Sequence, residues 1–270
     1  MIATVRLGTQ GWNYDAWVGP FYPERTRAAD YLGVYARAFD TVEVDSTFYA
    51  IPSVKVVRGW ASRVPEHFTF ALKLPQAATH EQRLRGDAIN VARRFFDVAR
   101  ELGAKLGPIL IQLGPGFAPV EEGALREFLP LLPNDLKLAI EFRQKEWIRE
   151  DILALLHEHQ IALALSDGRW IPRKQLLVLA ERPTSSFAYL RWMGPDRTIV
   201  DYSHIQVDRS QELAAWSAAV RALAVRVNTV YGYVNNHFSG HSPATVRELC
   251  ERLGLLAIEP RQLGEQMTLF

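Results

Sequence analysis

The chain has 270 residues, 48% of them hydrophobic and 23% charged, with a formal net charge of +1. That length holds one eightfold barrel of roughly 250 residues and leaves no room for a second domain. Near-neutrality excludes a global attraction to nucleic acid or membrane, and a single cysteine, Cys250, excludes an internal disulfide or a cysteine-ligated metal cluster. No apolar run reaches the ~18 residues of a membrane span, and no charged-then-apolar leader opens the chain, so a cytoplasmic protein is expected.

Eight short apolar runs recur in order: TVRLG (4–8), TVEVD (41–45), FTFALK (68–73), ILIQL (109–113), LAIEFR (138–143), IALALSD (161–167), FAYLR (187–191) and VYGYVNN (230–236). Segments of helical periodicity lie between most of them. Residues 27–39 place Tyr31, Tyr35, Ala38 and Phe39 on one face, and 87–103 repeat apolar residues at helical spacing before Gly103, a C-cap signal. Further helices are expected over 121–132, 148–159, 210–224 and 242–253, where Cys250 reads as a buried inert thiol; a shorter one is bounded by Pro172 and Pro183. This strand–helix alternation predicts an α/β fold, a single parallel (β/α)8 barrel of the triosephosphate-isomerase type over residues 1–259, with a tail over 260–270.

Barrels of this type carry their chemistry at the C-terminal strand ends. In the alternating runs the bulky residues, such as Val42, Val44, Phe70, Leu72, Ile140 and Phe142, should face the helices. Glu43, Lys73, Glu141 and Arg143 then point inward toward the mouth, as does Arg6. Asp45, Gln112, Asp167, Arg191, Asn235 and Asn236 join the site by strand end alone. One reading of these balanced charges is a closed structural network, because buried charges persist only when paired. The other is a polar ligand site, since the charges come from several separate strands.

The ordered motifs GTQGWNYDAWVGPFYP (8–23), TVEVDSTFYAIPS (41–53), FALKLPQAATH (70–80), LGPILIQLGPGF (106–117), IEFRQKEW (140–147), YLRWMG (189–194) and YVNNHFSGHSP (233–243) resemble the domain-of-unknown-function 72 group, also called YecE-like. The resemblance covers nearly the whole chain and implies the same barrel, but no established reaction. It supports Gly11, Trp12, Glu43, Phe48, Tyr49, Lys73, Thr79, His80, Gln112, Glu141, Arg143, Trp147, Asp167, Arg191, Asn235 and Asn236 as site residues. The chain departs from the family pattern at Gln144, usually histidine, at Glu146, usually serine, and at Gly114, commonly proline. A mechanism with a base at position 144 therefore does not apply.

Residue chemistry suggests roles. Lys73, Arg143 and Arg191 can converge on a phosphate, with Gln112, Asn235 and Asn236 as neutral donors and Trp12 and Tyr49 as ring platforms. His80 is the candidate general acid or base, with Glu141, Glu43 and Asp167 as further catalytic candidates. The same acidic residues, with His80 and His237, are types that hold a divalent metal, although the neighbouring cations would repel one. No metal ligand is assigned, and a divalent metal is the one cofactor these residues bring into consideration. Trp12, Tyr14, Trp17, Phe21 and Tyr22 crowd the loop after the first strand, either to stack a ligand or to cover the barrel end.

The chain ends Gln266-Met267-Thr268-Leu269-Phe270, which resembles the short peptide by which bacterial replication and repair proteins dock on the DNA sliding clamp. Gln266 would set register while Met267, Leu269 and Phe270 fill an apolar cleft. The leading expectation is a protein of DNA repair or nucleotide metabolism acting on a phosphate-containing substrate, as a phosphodiesterase or nuclease, and recruited to the clamp. The alternatives are a non-catalytic module for an anionic ligand and a sugar-phosphate isomerase or lyase.

Overall fold

Period-two alternation becomes eight parallel strands in the computed structural model, which describes residues 3–265. The strands are β1 (Thr4–Thr9), β2 (Thr41–Val44), β3 (Thr69–Lys73), β4 (Leu106–Gln112), β5 (Leu138–Glu141), β6 (Ala162–Gly168), β7 (Phe187–Gly194) and β8 (Thr229–Val234). They hydrogen-bond in the order β1-β8-β7-β6-β5-β4-β3-β2, which makes a nearly closed (β/α)8 barrel. The helices between and after them are α1 (Tyr31–Ala38), α2 (Val54–Ala61), α3 (Ala88–Ala99), α4 (Glu122–Phe128), α5 (Glu150–Glu158), α6 (Arg173–Leu179), α7 (Ser210–Ala224), α8 (Asn236–Ser239), α9 (Ser242–Leu253) and α10 (Pro260–Glu265). Among the described residues no helix is long and apolar enough to cross a membrane.

Alternation along each strand separates two apolar layers. Val42, Val44, Phe70, Leu72, Ile109, Ile111, Ile140, Leu163, Leu165, Leu190 and Trp192 pack outward with the helices. A second cluster, Ala71, Leu110, Ala139, Ala162, Ala164, Phe187, Tyr189, Tyr231 and Tyr233, fills the barrel itself. Strands β3, β5 and β6 contribute mostly alanine to that filling, whereas β7 and β8 contribute four aromatic rings. Small residues on one side thus make room for large ones on the other, as dense packing requires. The rule that bulky side chains face the helices fails on β7 and β8 for this reason.

Closure between β1 and β2 is unusual. Their backbones meet at a bridge between Gln10 and Glu43, where the Gly11 N–H donates to the Glu43 carbonyl at 2.8 Å. Below it the Tyr35 hydroxyl, carried in by α1, takes the place of a rung. It accepts from the Thr9 N–H at 2.8 Å and donates to the Thr41 carbonyl at 3.0 Å. The strands approach so closely at Gly8 that a Cβ there would lie 2.0 Å from the Thr41 oxygen.

Helix α2 was not expected from sequence. Its Val-Lys-Val-Val start is β-branched and reads as a strand, but Ser53 caps it by accepting from the Val56 N–H, and Val57 and Trp60 bury one face. Cys250 is buried on α9, and burial pushes its thiol up to about 12, in keeping with an inert packing role. Residues 260–265 form helix α10, with Leu263 buried in the core. Gln266, Met267, Leu269 and Phe270 lie outside the described residues.

Candidate functional site at the barrel mouth

Each strand delivers its side chain to the mouth by the same parity that fills the barrel. One step above the interior alanines and tyrosines stand Glu43, Lys73, Gln112, Glu141, Ser166 and Arg191. Arg191 is the hub and is 1% exposed. Its Nε and Nη2 donate to the two oxygens of Glu43 at 2.9 and 2.7 Å, and its Nη1 donates to Glu141 at 2.5 Å and to Gln112 at 3.2 Å. The Tyr189 hydroxyl donates to Glu43 at 2.6 Å, the Ser166 hydroxyl to Glu141 at 2.5 Å, and Arg143 Nε to Glu141 at 3.1 Å.

Two carboxylates are thereby balanced by two guanidinium groups. Burial opposes ionisation of Glu141, but Arg191 and Arg143 override it and lower its carboxyl to about 2. Burial likewise opposes the charge on Arg191, and Glu43 and Glu141 reverse that effect, raising it well above its ordinary value. Both charges persist across the physiological range. The network expected from the charge balance is therefore present around Arg191, which spends four of its five N–H donors inside it.

Above this layer opens a cleft of about 360 Å³ lined by Gln10, Asp45, Phe48, Tyr49, Lys73, Gln76, His80, Gln112, Arg143, Arg191, Met193, Arg197, Asn235 and His237. Its volume falls within the range of small-molecule sites. Lys73 is positioned by a clamp between strand ends: Thr47 accepts from the Lys73 N–H and donates to its carbonyl, both at 2.9 Å. The Lys73 ammonium meets Asp45 at 3.1 Å and sits 4.9 Å from the Phe48 ring. Arg143 uses only Nε in hydrogen bonds within the protein; among the described residues its terminal nitrogens have no hydrogen-bond partner, and the side chain borders the cleft.

His80 lies on a π-helical turn, Ala77–Glu81, a wide turn that brings the imidazole back over the mouth. Thr79 Oγ1 pairs with its Nδ1 at 2.9 Å, and Phe48 packs edge-on at 4.9 Å. Burial, reinforced by Arg143 and Lys73, lowers its pKa, so the ring is neutral at pH 7. Gly114 gives it space: a Cβ there would come within 3.0 Å of His80 Cδ2.

Several expected residues stand elsewhere. Asp167 faces the helices, accepting from Trp216 Nε1 and Arg173 Nε, both at 2.6 Å, and ties β6 to α6 and α7. Asn236 is buried and accepts from the Ser242 N–H and hydroxyl, which closes the α8–α9 turn. Asn235 does reach the cleft, where its amide donates to Gln10 at 2.8 Å. Arg6 lies at the opposite end of the barrel, on the carbonyl of His67 at 2.8 Å. Phe21 and Tyr22 are buried against α1 and Trp17 is buried against both of them, so these three pack the fold and do not line the cleft. Trp12 borders a separate cleft, and Tyr49 stands 71% exposed at the rim. Among the described residues no three of His, Cys, Asp and Glu converge as metal ligands, and both central carboxylates are engaged by Arg191.

Sequence reasoning overlooked Gln10, Ser166, Tyr189 and Arg197. Tyr189 could have been found by stepping back two residues from Arg191, and Ser166 by taking alternate residues along β6. Nothing local marks Arg197, which reaches the cleft from the loop after β7.

The chain matches the family described as "Protein of unknown function DUF72" over residues 6–266. It is 24% identical to the YecE protein of Escherichia coli K12, with 92% of each chain covered, and 24% identical to the YunF protein of Bacillus subtilis 168, with 96% of this chain and 99% of that one covered. In three dimensions it is similar to a DUF72 family protein of Thermotoga maritima, with TM-score 0.76 at 24% identity over 93% of this chain and 99% of the other. A DUF72 family protein of Enterococcus faecalis gives TM-score 0.71 at 22% identity, over 94% and 99%. With that match spanning nearly the whole chain and the seven motifs gathered on one barrel, the chain belongs to the DUF72 family.

Proposed function

We propose that the protein binds a phosphate-bearing ligand in the barrel mouth and acts on it by proton transfer. The observation that carries this reading is the split use of Arg143, a residue that lines the cleft: Nε is tied to Glu141, while the terminal nitrogens have no protein partner among the described residues. A guanidinium fixed in that way presents a preoriented edge to an oxyanion. Lys73, Arg197 and Gln112 add donors around the same space. His80 is the proton carrier, because it is neutral, borders the cleft and is held at Nδ1 by Thr79.

The reaction class that suits these groups is hydrolysis of a phosphate ester, as in a phosphodiesterase or nuclease: His80 takes a proton from water as its oxygen bonds to phosphorus, the ester P–O bond breaks, and the proton passes from His80 to the departing alcohol oxygen. The link to DNA repair or nucleotide metabolism rests on the terminal pentapeptide, through which we propose recruitment to the sliding clamp. Titration with a purified bacterial clamp tests that part. Binding at micromolar strength or better, about −8 kcal/mol, should vanish when Leu269 and Phe270 are removed, and no binding would end the clamp proposal.

Calorimetric titration with phosphate and phosphate esters tests the mouth itself. Binding by the native chain and its loss in Arg143→Met is the expected result; equal binding by both would sink the reading. A non-catalytic anion-binding module is the second reading, favoured by the engagement of Glu43 and Glu141 with Arg191. It would be established by tight binding without turnover of any ester at any pH.

A further inference from the structure

Beside the basic mouth lies a second cleft of about 390 Å³, lined by Gly11, Trp12, Asn13, Tyr14, Val44, Asp45, Ser46 and Trp60. It opens where β1 and β2 part beyond their last shared hydrogen bond, Gly11 N–H to Glu43 O. Gly11 adopts φ +79°, a left-handed turn that swings Trp12 toward the start of the loop after β2. Trp12 stands edge-on to Trp60 at 6.0 Å and to Phe70 at 6.4 Å, which fixes its ring. Burial, with the charge of nearby Asp45, raises the Tyr14 phenol, so it stays neutral. The cleft is thus aromatic and uncharged except for one wall.

That wall is Asp45, which also lines the mouth. Its Oδ1 takes Lys73, whereas Oδ2 accepts no hydrogen bond among the described residues. A basic anion site, a single carboxylate with a free oxygen and a rigid aromatic slot therefore follow one another across the top of β2. A phosphate, a hydroxyl-bearing sugar and a planar base follow one another in the same way in a nucleotide. We propose that the two clefts form one composite site for a nucleoside monophosphate unit. The phosphate lies on Arg143 and Lys73, the sugar hydroxyls donate to Asp45, and the base stacks in the slot of Trp12, Tyr14 and Trp60. This rests on the phosphate reading of the mouth and adds the identity of the ligand.

The test is equilibrium titration of the full-length protein with inorganic phosphate, ribose phosphate and AMP, followed by tryptophan fluorescence and calorimetry. AMP should bind about tenfold or more tighter than ribose phosphate, about 1.4 kcal/mol, and quench tryptophan emission. Trp12→Leu should remove that advantage. Because Trp12 also packs on the core, Ser46→Phe provides a second variant: Ser46 is exposed, and a ring there fills the slot without entering the core. It should remove the AMP advantage and leave ribose phosphate binding as it was. A phosphorylated dinucleotide titrated alongside separates a free nucleotide from a strand end, and a gain over ribose phosphate by either one upholds the composite site. If neither AMP nor the dinucleotide binds tighter than ribose phosphate, or if Ser46→Phe leaves the gain intact, the slot is not a base site and the mouth reading survives. If no phosphate compound binds, the mouth reading fails and the composite site falls with it.

Discussion

Arg191 grips Glu43 end-on, with Nε and Nη2 against the two carboxylate oxygens at 2.9 and 2.7 Å, and both side chains are sealed from solvent. A buried pair of this kind is costly to break from one side, because the remaining charge keeps its desolvation penalty and loses its partner. Arg191→Met should lower the unfolding free energy by about 3–5 kcal/mol, read from the urea midpoint. Adding Glu43→Gln to that variant should recover part of the loss, since it removes the stranded charge.

Arg143 should behave differently. It is partly exposed and only its Nε is engaged, so Arg143→Met should destabilise the fold far less than Arg191→Met while abolishing phosphate binding. Thermal unfolding and calorimetry on the same preparations separate the two effects. A large loss of stability with binding retained would place Arg143 in the structural network instead.

Glu141 makes the fold acid-sensitive. Its folded value of about 2 lies below its ordinary 4.5, so the unfolded chain takes up the proton first. Its contribution is complete above about pH 4.5 and is lost as pH falls toward 2, a change on the order of 3 kcal/mol. Glu141→Gln should be less stable at neutral pH and show a flatter acid limb in denaturation midpoints taken at successive pH values.

The Tyr35 hydroxyl closes the barrel between β1 and β2. Tyr35→Phe removes the acceptor for the Thr9 N–H and the donor to the Thr41 carbonyl, leaving buried polar groups unpaired. The expected cost is about 1–3 kcal/mol, with faster hydrogen exchange at the Thr9 amide. Unchanged exchange there would mean that the strands close on each other directly.

Gly114 sets the environment of His80. A methyl group at that position would press on His80 Cδ2 and push the ring outward. In Gly114→Ala the imidazole should titrate nearer its ordinary value, because burial is the first cause of its lowered pKa. Proton-detected NMR of the histidine ring checks this directly, and an unshifted titration would show that the ring has room to spare.

Local pattern was enough for the strands and most helices, because burying one face of a strand or helix imposes a period that survives in a single sequence. The runs that carry Glu43, Lys73 and Glu141 followed the alternation, and their carboxylates and ammonium stand at the mouth as that alternation requires. Helix α2 escaped because its β-branched start hides a helix that depends on a Ser53 cap and on burial of Trp60. Sorting by bulk does not extend to Tyr189, Tyr231 and Tyr233, because whether a bulky ring faces inward depends on alanines supplied by distant strands.

What the sequence determined by itself was the barrel, its family and the set of polar residues from which a site could be built. Tertiary structure alone decided their division of labour. Arg191 and Arg143 are the same residue type at the mouth ends of two strands with β6 between them, yet one is consumed by two carboxylates and the other keeps terminal nitrogens without a protein partner among the described residues. Asp167 and Glu141 both close a strand, yet one turns to the helices and the other to the barrel. Those outcomes depend on which oxygen lies within about 3 Å of which nitrogen, a distance set by chain segments far apart in sequence.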